Sequence, residues 1–359
     1  MLPGRSEGCP LSLSKFMTPS SSPRQKILRR PVHGVLLLDK PLGLSSNQAL
    51  QKAKWLMRAE KAGHTGTLDP LATGVLPLCF GAATKFSQMQ LEADKTYEAV
   101  LLLGQKTSTA DAEGDVIETR DVPPITPALL DRLTAQFSGP QSQVPPMYSA
   151  LKKDGKALYE YARAGQEVER EARHVVIHSL QLSLAHDDRA PAAIRAIVRC
   201  SKGTYIRTLG EDIGEAIGCG AHLGFLRRIE TGGYTAGQCV SLPALEAMNE
   251  SERDACLLPP QSLVSGSPSV SLDAANAGRF LSGLRRRGEP GQWGPQVAEF
   301  QALVQVFGSD PHAFLGTAHV AANELIPERL LSPIEVQDML QAAASAGPAL
   351  HSDEPPALP

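Results

Sequence analysis

An α+β fold is what this chain predicts, with a mainly antiparallel mixed sheet flanked by helices and a small β-domain at the C-terminal end. Three observations lead there. Strand-like apolar segments outnumber helical stripes. The helical stripes fall between them irregularly, not in the regular alternation that a parallel sheet requires. A Pro- and Gly-rich break at about 250–268, where Leu258-Pro259-Pro260 leads to Ser265-Gly266-Ser267-Pro268, divides a long dense region from a shorter one. At 359 residues the chain has room for two domains with loose ends.

Residues 1–31 are rich in Ser, Pro and cations and predict a disordered basic tail. In the dense region, 32–255, residues 34–38 read as a buried strand ended by Asp39-Lys40-Pro41 and a turn at Gly43. Ser45 or Ser46 can cap a helix from Asn47 to about Arg58, whose apolar stripe is Ala49, Leu50, Ala53 and Leu56. Residues 95–103 and 116–122 predict strands around a turn at Gly114, and Thr126-Pro127 opens a helix through Phe137. Residues 175–184 and 194–200 alternate like paired strands, while 208–217 read as a helix closed by Gly218. Beyond the break, 268–332 holds strands at 300–307 and 314–320 and ends with 325–331; residues 283–298 read as a loop insertion. Residues 333–359 have no Lys or Arg and predict an acidic tail, partly helical and then disordered.

With 42% hydrophobic and 20% charged residues, the composition is that of an ordinary soluble globular protein. No run approaches the roughly eighteen apolar residues of a membrane-spanning helix. Pro3, Gly4, Pro10 and Pro19 break up the start of the chain, so no signal peptide is expected. Six scattered cysteines without a C-x-x-C pair read as reduced thiols, which predicts a cytoplasmic protein. The net charge of −3 argues against a simple polycation, but the cations cluster. Arg24 to Arg30, Lys52 to Lys61, Arg195 to Arg207 and Arg285 to Arg287 form four groups, suited to tracking phosphates.

The segment Gly63-His64-Thr65-Gly66-Thr67-Leu68-Asp69-Pro70-Leu71-Ala72-Thr73-Gly74 concentrates the chemistry. Its glycines allow tight turns and close approach, and its hydroxyls and N–H groups can hold Asp69 ionised. Taken alone, Asp69-Pro70 reads equally as a helix cap with proline at the first helical position. Three further segments accompany it in order: Gly34 to Ser46, Lys95-Thr96-Tyr97, and Arg199 to Gly214. Pro145 to Lys152 and Leu226-Arg227-Arg228 add shorter pieces.

Together these segments, over residues 34–233, resemble the TruB family of pseudouridine synthases, which isomerise a uridine in the T-loop of tRNA. The resemblance implies a pseudouridine-synthase core in which Asp69 is the catalytic carboxylate. It implies that Arg207 pairs with Asp69 and that Tyr97 stacks on the target base, with a hydroxyl able to relay a proton. Lys40 and Pro41 would support the catalytic loop. Tyr205 and Leu226 would bind substrate, and His64 would fill the space left by a flipped base or stack on its neighbour. Each has an alternative: a sheet tyrosine for Tyr97, a surface ion pair to Glu211 for Arg207, a hydrogen-bonded loop histidine for His64. Arg227 and Arg228 would meet phosphate or solvent. Ser45-Ser46 stands where the family has Thr-Ser, and Thr107-Ser108-Thr109 where it prefers a central acidic residue.

Flipping a stacked uridine costs roughly a few kcal/mol. The rearrangement that follows involves no redox step or activated donor, so no cofactor is expected. The chain has neither a Walker A loop nor a dinucleotide fingerprint. His64, His174, His178 and His186 suggest no metal constellation. Phe314-Leu315-Gly316 and Pro327 to Leu331 give the terminal region a resemblance to the PUA-type RNA-binding β-domain. The expected partner is tRNA, held through its T-arm by a monomer that needs no protein partner and no membrane. The competing readings are a non-catalytic tRNA-binding or tRNA-folding protein and a guide-RNA-dependent synthase. The latter usually carries lysine-rich tails, and this chain's tail is acidic.

Overall fold

The computed structural model describes residues 28–289, 293 and 302–345. Most of the predicted basic tail (1–27), the greater part of the 290–301 stretch and the acidic end (346–359) lie outside the described residues.

β1 (Gly34–Lys40) is buried almost throughout because both faces of the sheet are covered around it. α1 (Ser46–Leu56) is capped by Ser45, whose hydroxyl accepts from the Gln48 N–H while Gln48 reaches back, and it buries the predicted stripe. β2 (Ala62–His64) and β3 (Ala72–Phe80) enclose the Asp69 segment. No helix follows Asp69-Pro70. The chain turns instead, with the Ala72 N–H donating to the Asp69 carbonyl at 3.0 Å, and runs directly into β3. This corrects the helix-cap alternative.

β4 (Lys95–Leu103), α2 (Pro127–Phe137), β5 (Gly139–Gln143), β6 (Arg173–Ala185), β7 (Ala193–Cys200), α3 (Ile206–Ile217), β8 (Ala221–Thr231) and β9 (Val240–Ser241) complete the main layers. The strand order is β9-β1-β3-β8-β4-β7-β6-β5. Only β1–β9 and β3–β8 pair in parallel along this path, so the sheet is mixed and mainly antiparallel. At the β3–β8 contact Gly74 has φ +98°, and a Cβ there would lie 2.1 Å from the Arg228 carbonyl oxygen. Only glycine lets these two strands approach so closely.

Alternation along the strands splits the core. Leu36, Leu38, Leu76, Leu78, Ala99, Leu101 and Leu103 pack with the buried faces of α1, α2 and α3. Val35, Leu37, Val75 and Cys79 face the other way and form one cluster with Phe86, Val270, Phe280, Val304, Val306 and Phe314. The C-terminal module is thus joined to the main sheet by continuous apolar packing. It consists of β10 (Ser269–Leu272), α4 (Ala274–Leu281), β11 (Arg286–Arg287), β12 (Ala302–Ser309), β13 (His312–Ala321) and β14 (Glu324–Leu330), in the sheet order β10-β12-β13-β14-β11.

The acidic tail, expected to be partly helical and then disordered, opens with a helix, α5 (Pro333–Ser345). Ser332 and Glu335 cap it reciprocally, and Val336, Met339 and Leu340 join the apolar cluster. Glu335 also meets Lys85 at 2.6 Å and Asp338 meets His33 at 3.3 Å. Among the described residues no helix is long and apolar enough to cross a membrane.

Candidate active site

The Asp69 turn is gripped on both sides by the segment that links β1 to α1. Ser46 is sealed from solvent; its hydroxyl accepts from the Leu68 N–H at 2.7 Å and donates to the Leu68 carbonyl at 3.1 Å. On the far side, the Gly43 N–H donates to the Pro70 carbonyl at 2.9 Å. Lys40 Nζ reaches the carbonyls of Pro41 (2.9 Å), Leu44 and Pro70 (3.5 Å). Burial brings this lysine down to about 8, against the pull of the Asp69 carboxylate. Lys40 and Pro41 therefore lie beneath the turn.

Arg207, in the first turn of α3, is 5% exposed, and its Nη2 lies 2.8 Å from Asp69 Oδ2. The same guanidinium donates to the carbonyls of Tyr148 (2.7 Å) and Thr109 (3.1 Å) and lies 3.6 Å from Asp111. Among the described residues its ion pairs are with Asp69 and Asp111, not with Glu211. This full set of acceptors is what makes a buried arginine tolerable. Asp111 is fixed in turn by the Thr109 hydroxyl at 2.6 Å and the Glu113 N–H at 3.1 Å. The Asp69 side chain keeps 39% of its surface open to the cleft, with protein on its other sides. Desolvation pushes its carboxyl above the ordinary value; Arg207 opposes that, Asp111 adds to it and Lys40 opposes it. Glu113 is also pushed up, first by burial and then by the charges of Asp111 and Asp69.

Tyr97 on β4 and Leu226 and Arg228 on β8 project from the same face, with Ala99 opposite Leu226 and Tyr97 opposite Arg228. Arg228 is 1% exposed; its Nε donates to the Val75 carbonyl at 2.7 Å and its Nη2 to Gly66 at 3.4 Å. Arg227 points the other way and grips Asp39 through two bonds of 3.0 and 2.8 Å. Arg228 is sealed from solvent, which corrects the expectation for it, whereas Arg227 is held by Asp39 and stays partly exposed. Burial pushes the phenol of Tyr97 up, with Arg228 the main opposing influence, and burial does the same to Tyr205.

A cleft of roughly 780 Å³ is lined by Asp69, Tyr97, Tyr205, Arg207, Leu226 and Arg228, among others. Five of the predicted residues therefore converge. His64 does not line the cleft; it sits on β2 opposite Leu78, with Nδ1 buried and without a hydrogen-bond partner. Burial, then Arg228, lowers its pKa. Among the described residues no group of three His, Cys, Asp or Glu side chains could hold a metal ion. The basic groups are largely matched by acids. Lys52 pairs with Glu246, Arg58 with Glu250, Arg195 with Glu98, Arg199 with Asp94 and Lys202 with Glu92.

Sequence reasoning missed Ser46 as a clamp, Asp111 and Arg228. A run of hydroxyl residues entering the turn Asp111-Ala112-Glu113-Gly114 was the available signal for Asp111. The period of a strand would have separated Arg227 from Arg228.

The architecture is that of solved structures in the pseudouridine-synthase fold. A chain in the "Crystal Structure of a Cbf5-Nop10-Gar1 Complex" aligns with a TM-score of 0.62 at 22% identity, covering 85% of this chain and 86% of that one. A chain in the "Structure of H/ACA RNP bound to a substrate RNA containing 2'-deoxyuridine" gives 0.59 at 20% identity, covering 84% and 86%. Residues 54–206 match the N-terminal domain of the TruB family pseudouridylate synthases, 207–265 the tRNA pseudouridylate synthase B C-terminal domain, and 268–331 the C-terminal region of pseudouridine synthase II TruB. The tRNA pseudouridine synthase B of Verminephrobacter eiseniae (strain EF01-2) is 61% identical over 90% of this chain and 96% of its own length. Its counterpart in Burkholderia mallei (strain ATCC 23344) is 57% identical over 86% and 97%. The chain belongs to the TruB family of pseudouridylate synthases.

Proposed function

We propose that this chain converts a uridine in the T-loop of tRNA to pseudouridine. The C1′–N1 glycosidic bond is broken, the uracil is turned, and it is rejoined to the sugar through C5. The observation that carries the reading is the Asp69–Arg207 pair at 2.8 Å on the wall of the cleft. An enzyme of this kind needs a carboxylate that stays ionised against desolvation, and a forked, fully bonded guanidinium is suited to keep it so. Asp69 acts as nucleophile or base, Arg207 holds its charge and direction, and Tyr97 stacks on the flipped base. Leu226 and Tyr205 shape the cleft around the base, while Lys40 and Pro41 brace the turn beneath. From the end of β2, two residues before Gly66, His64 fills the space left by the flipped base or stacks on its neighbour.

The atoms of the base and sugar are conserved through the rearrangement, so neither metal nor cofactor is called for. The protein acts as a cytoplasmic monomer without a protein partner, and the C-terminal module contributes RNA contacts. Identities of 57–61% to tRNA pseudouridine synthases support tRNA as substrate over a guide-RNA-dependent role. A purely RNA-folding role leaves the cleft-facing Asp69, paired to the buried Arg207 and Asp111, without a use. The experiment is incubation of purified protein with an unmodified tRNA transcript, followed by mapping of pseudouridine by carbodiimide-dependent reverse-transcription stops. A stop at a T-loop uridine, absent without enzyme, is expected; an unmodified T-loop overturns the reading.

A further inference from the structure

Arg228 is among the largest fully sealed side chains of the protein, and it is a cation. Arg207, the other sealed arginine among the described residues, faces two carboxylates. Among the described residues Arg228 forms no ion pair, and carbonyl oxygens of Val75 and Gly66 hold it instead. A buried charge without a counter-ion is costly, and an apolar side chain of similar volume would often serve stability as well or better. The charge must therefore have another use.

Its surroundings supply one. Arg228 stands directly opposite Tyr97 across the β4–β8 pairing, and both line the cleft. The turn leading to Asp69 rests on the same guanidinium, since a Cβ placed on Gly66 would lie 3.5 Å from Nη1. One side chain thus joins the strand that carries Tyr97, the turn that carries Asp69 and the strand β3 that follows it.

We propose that Arg228 is a positioning residue for the reaction: it fixes the Tyr97 hydroxyl relative to Asp69 and directs an otherwise unpaired positive charge at that hydroxyl. The proposal deepens the function given above and rests on its reading of Tyr97. The other ionisable groups that act on the phenol are Cys200 from β7 and Asp69 from its turn, both of which reinforce the effect of burial. Arg228 is the group that opposes them. Lys95, two residues before Tyr97, also feels the charge of Arg228.

The test combines kinetics and spectroscopy on the full chain. Arg228→Gln is expected to slow single-turnover conversion by roughly 100-fold while tRNA affinity changes by less than about 3-fold, and in a Tyr97→Phe background the same substitution should add less than about 3-fold. Arg228→Lys, which keeps the charge but loses the fork, should recover about 10-fold of the loss. Protein labelled with 3-fluorotyrosine gives a second readout. The Tyr97 fluorine resonance, assigned by its loss in Tyr97→Phe, should shift or broaden in both Arg228 variants while the other tyrosines stay in place.

Losses that simply multiply in the double variant, or an unmoved Tyr97 resonance in a folded variant, would show Arg228 to be only a peg for Gly66 and Val75. A parallel fall in tRNA affinity would make it a phosphate contact. Should Arg228→Gln fail to fold, Arg228→Lys carries both measurements. If Tyr97→Phe is fully active, the reading of Tyr97 fails on its own, while the fluorine spectrum still decides whether Arg228 fixes that ring.

Discussion

Replacing Arg207 with alanine removes the guanidinium that lies 2.8 Å from Asp69 and leaves Asp111 buried beside it without its partner. Two unit charges at that separation attract by about 6 kcal/mol at an effective dielectric constant of about 20. Because 39% of the Asp69 side chain faces the cleft, water screens part of this. A figure of about 3–5 kcal/mol, as for breaking buried pairs, is the better expectation. At about 1.4 kcal/mol per decade, single-turnover conversion should fall by roughly 10² to 10³·⁵-fold. Binding should change far less, since Arg207 is too deeply buried to meet phosphate. The pH dependence has a definite sign. The Asp69 carboxyl is already raised by burial, and loss of Arg207 removes the main influence holding it down. Under the proposed function Asp69 works as its carboxylate, so the wild-type rate should be lost as pH falls through this raised value. In Arg207→Ala the loss begins at higher pH, and the residual rate climbs as pH rises. Rapid-quench single-turnover assays at saturating tRNA across the neutral range, with parallel filter binding, measure both effects. A near-normal rate, or an unshifted acid limb, would refute the reasoning.

Asp69→Asn should keep the fold and tRNA affinity but abolish turnover, because the near-isosteric amide is not an anionic nucleophile or base; residual activity above a few per cent of wild type counts against the assignment. Tyr97→Phe should bind tRNA normally and react slowly, whereas Tyr97→Leu should lose stacking as well; equal rates for Phe and wild type would reduce the residue to a stacking platform. Ser46→Ala removes both bonds to the Leu68 backbone, one to its N–H and one to its carbonyl. It should lower the rate constant while Ser46→Thr restores it, with unbonded Leu68 groups costing about 1–3 kcal/mol in thermal unfolding. Ending the chain after residue 265 should uncover Val35, Leu37, Val75, Cys79 and Phe86. At about 1.5–3 kcal/mol for each such side chain, the loss rivals a whole domain's stability of about 5–15 kcal/mol, so insolubility or a collapsed melting temperature is expected. A soluble truncated protein with an unchanged melting curve would show that the shared packing contributes little.

The legible parts of the sequence were those whose signal is local. Thr126-Pro127 announced α2, and the alternation of 175–184 and 194–200 announced the β6–β7 pair. β8 stayed hidden although it lies inside the sheet, because Gly224, two register shifts and adjacent arginines spoil its period. The Asp69–Arg207 pair came from the family resemblance; no local pattern connects residues so far apart. Ser46 read only as an alternative helix cap; Ser45 takes that place, and only the three-dimensional position of Leu68 makes Ser46 a clamp. Asp111 looked like an ordinary loop residue because its partner, Arg207, arrives from another part of the fold. The tail after 333 read as acidic and partly helical, while its apolar stripe of Val336, Met339 and Leu340 went unread.

The partners of β1 have a consequence for synthesis. This apolar strand, complete at Lys40, pairs with β3 early, but its other edge waits for Val240–Ser241 and for Leu257–Leu258. The ribosome must add 218 further residues, from 40 to 258, before that edge is closed. At about 5–20 residues per second, this takes roughly 10–45 seconds. During that interval a nascent chain presents Val35 to Leu38 on an open strand edge, which attracts other strands. Slower translation lengthens the exposure and faster translation shortens it, so the yield of folded protein should depend on elongation rate and on trigger-type chaperones that cover the early strand until the 257–258 segment emerges.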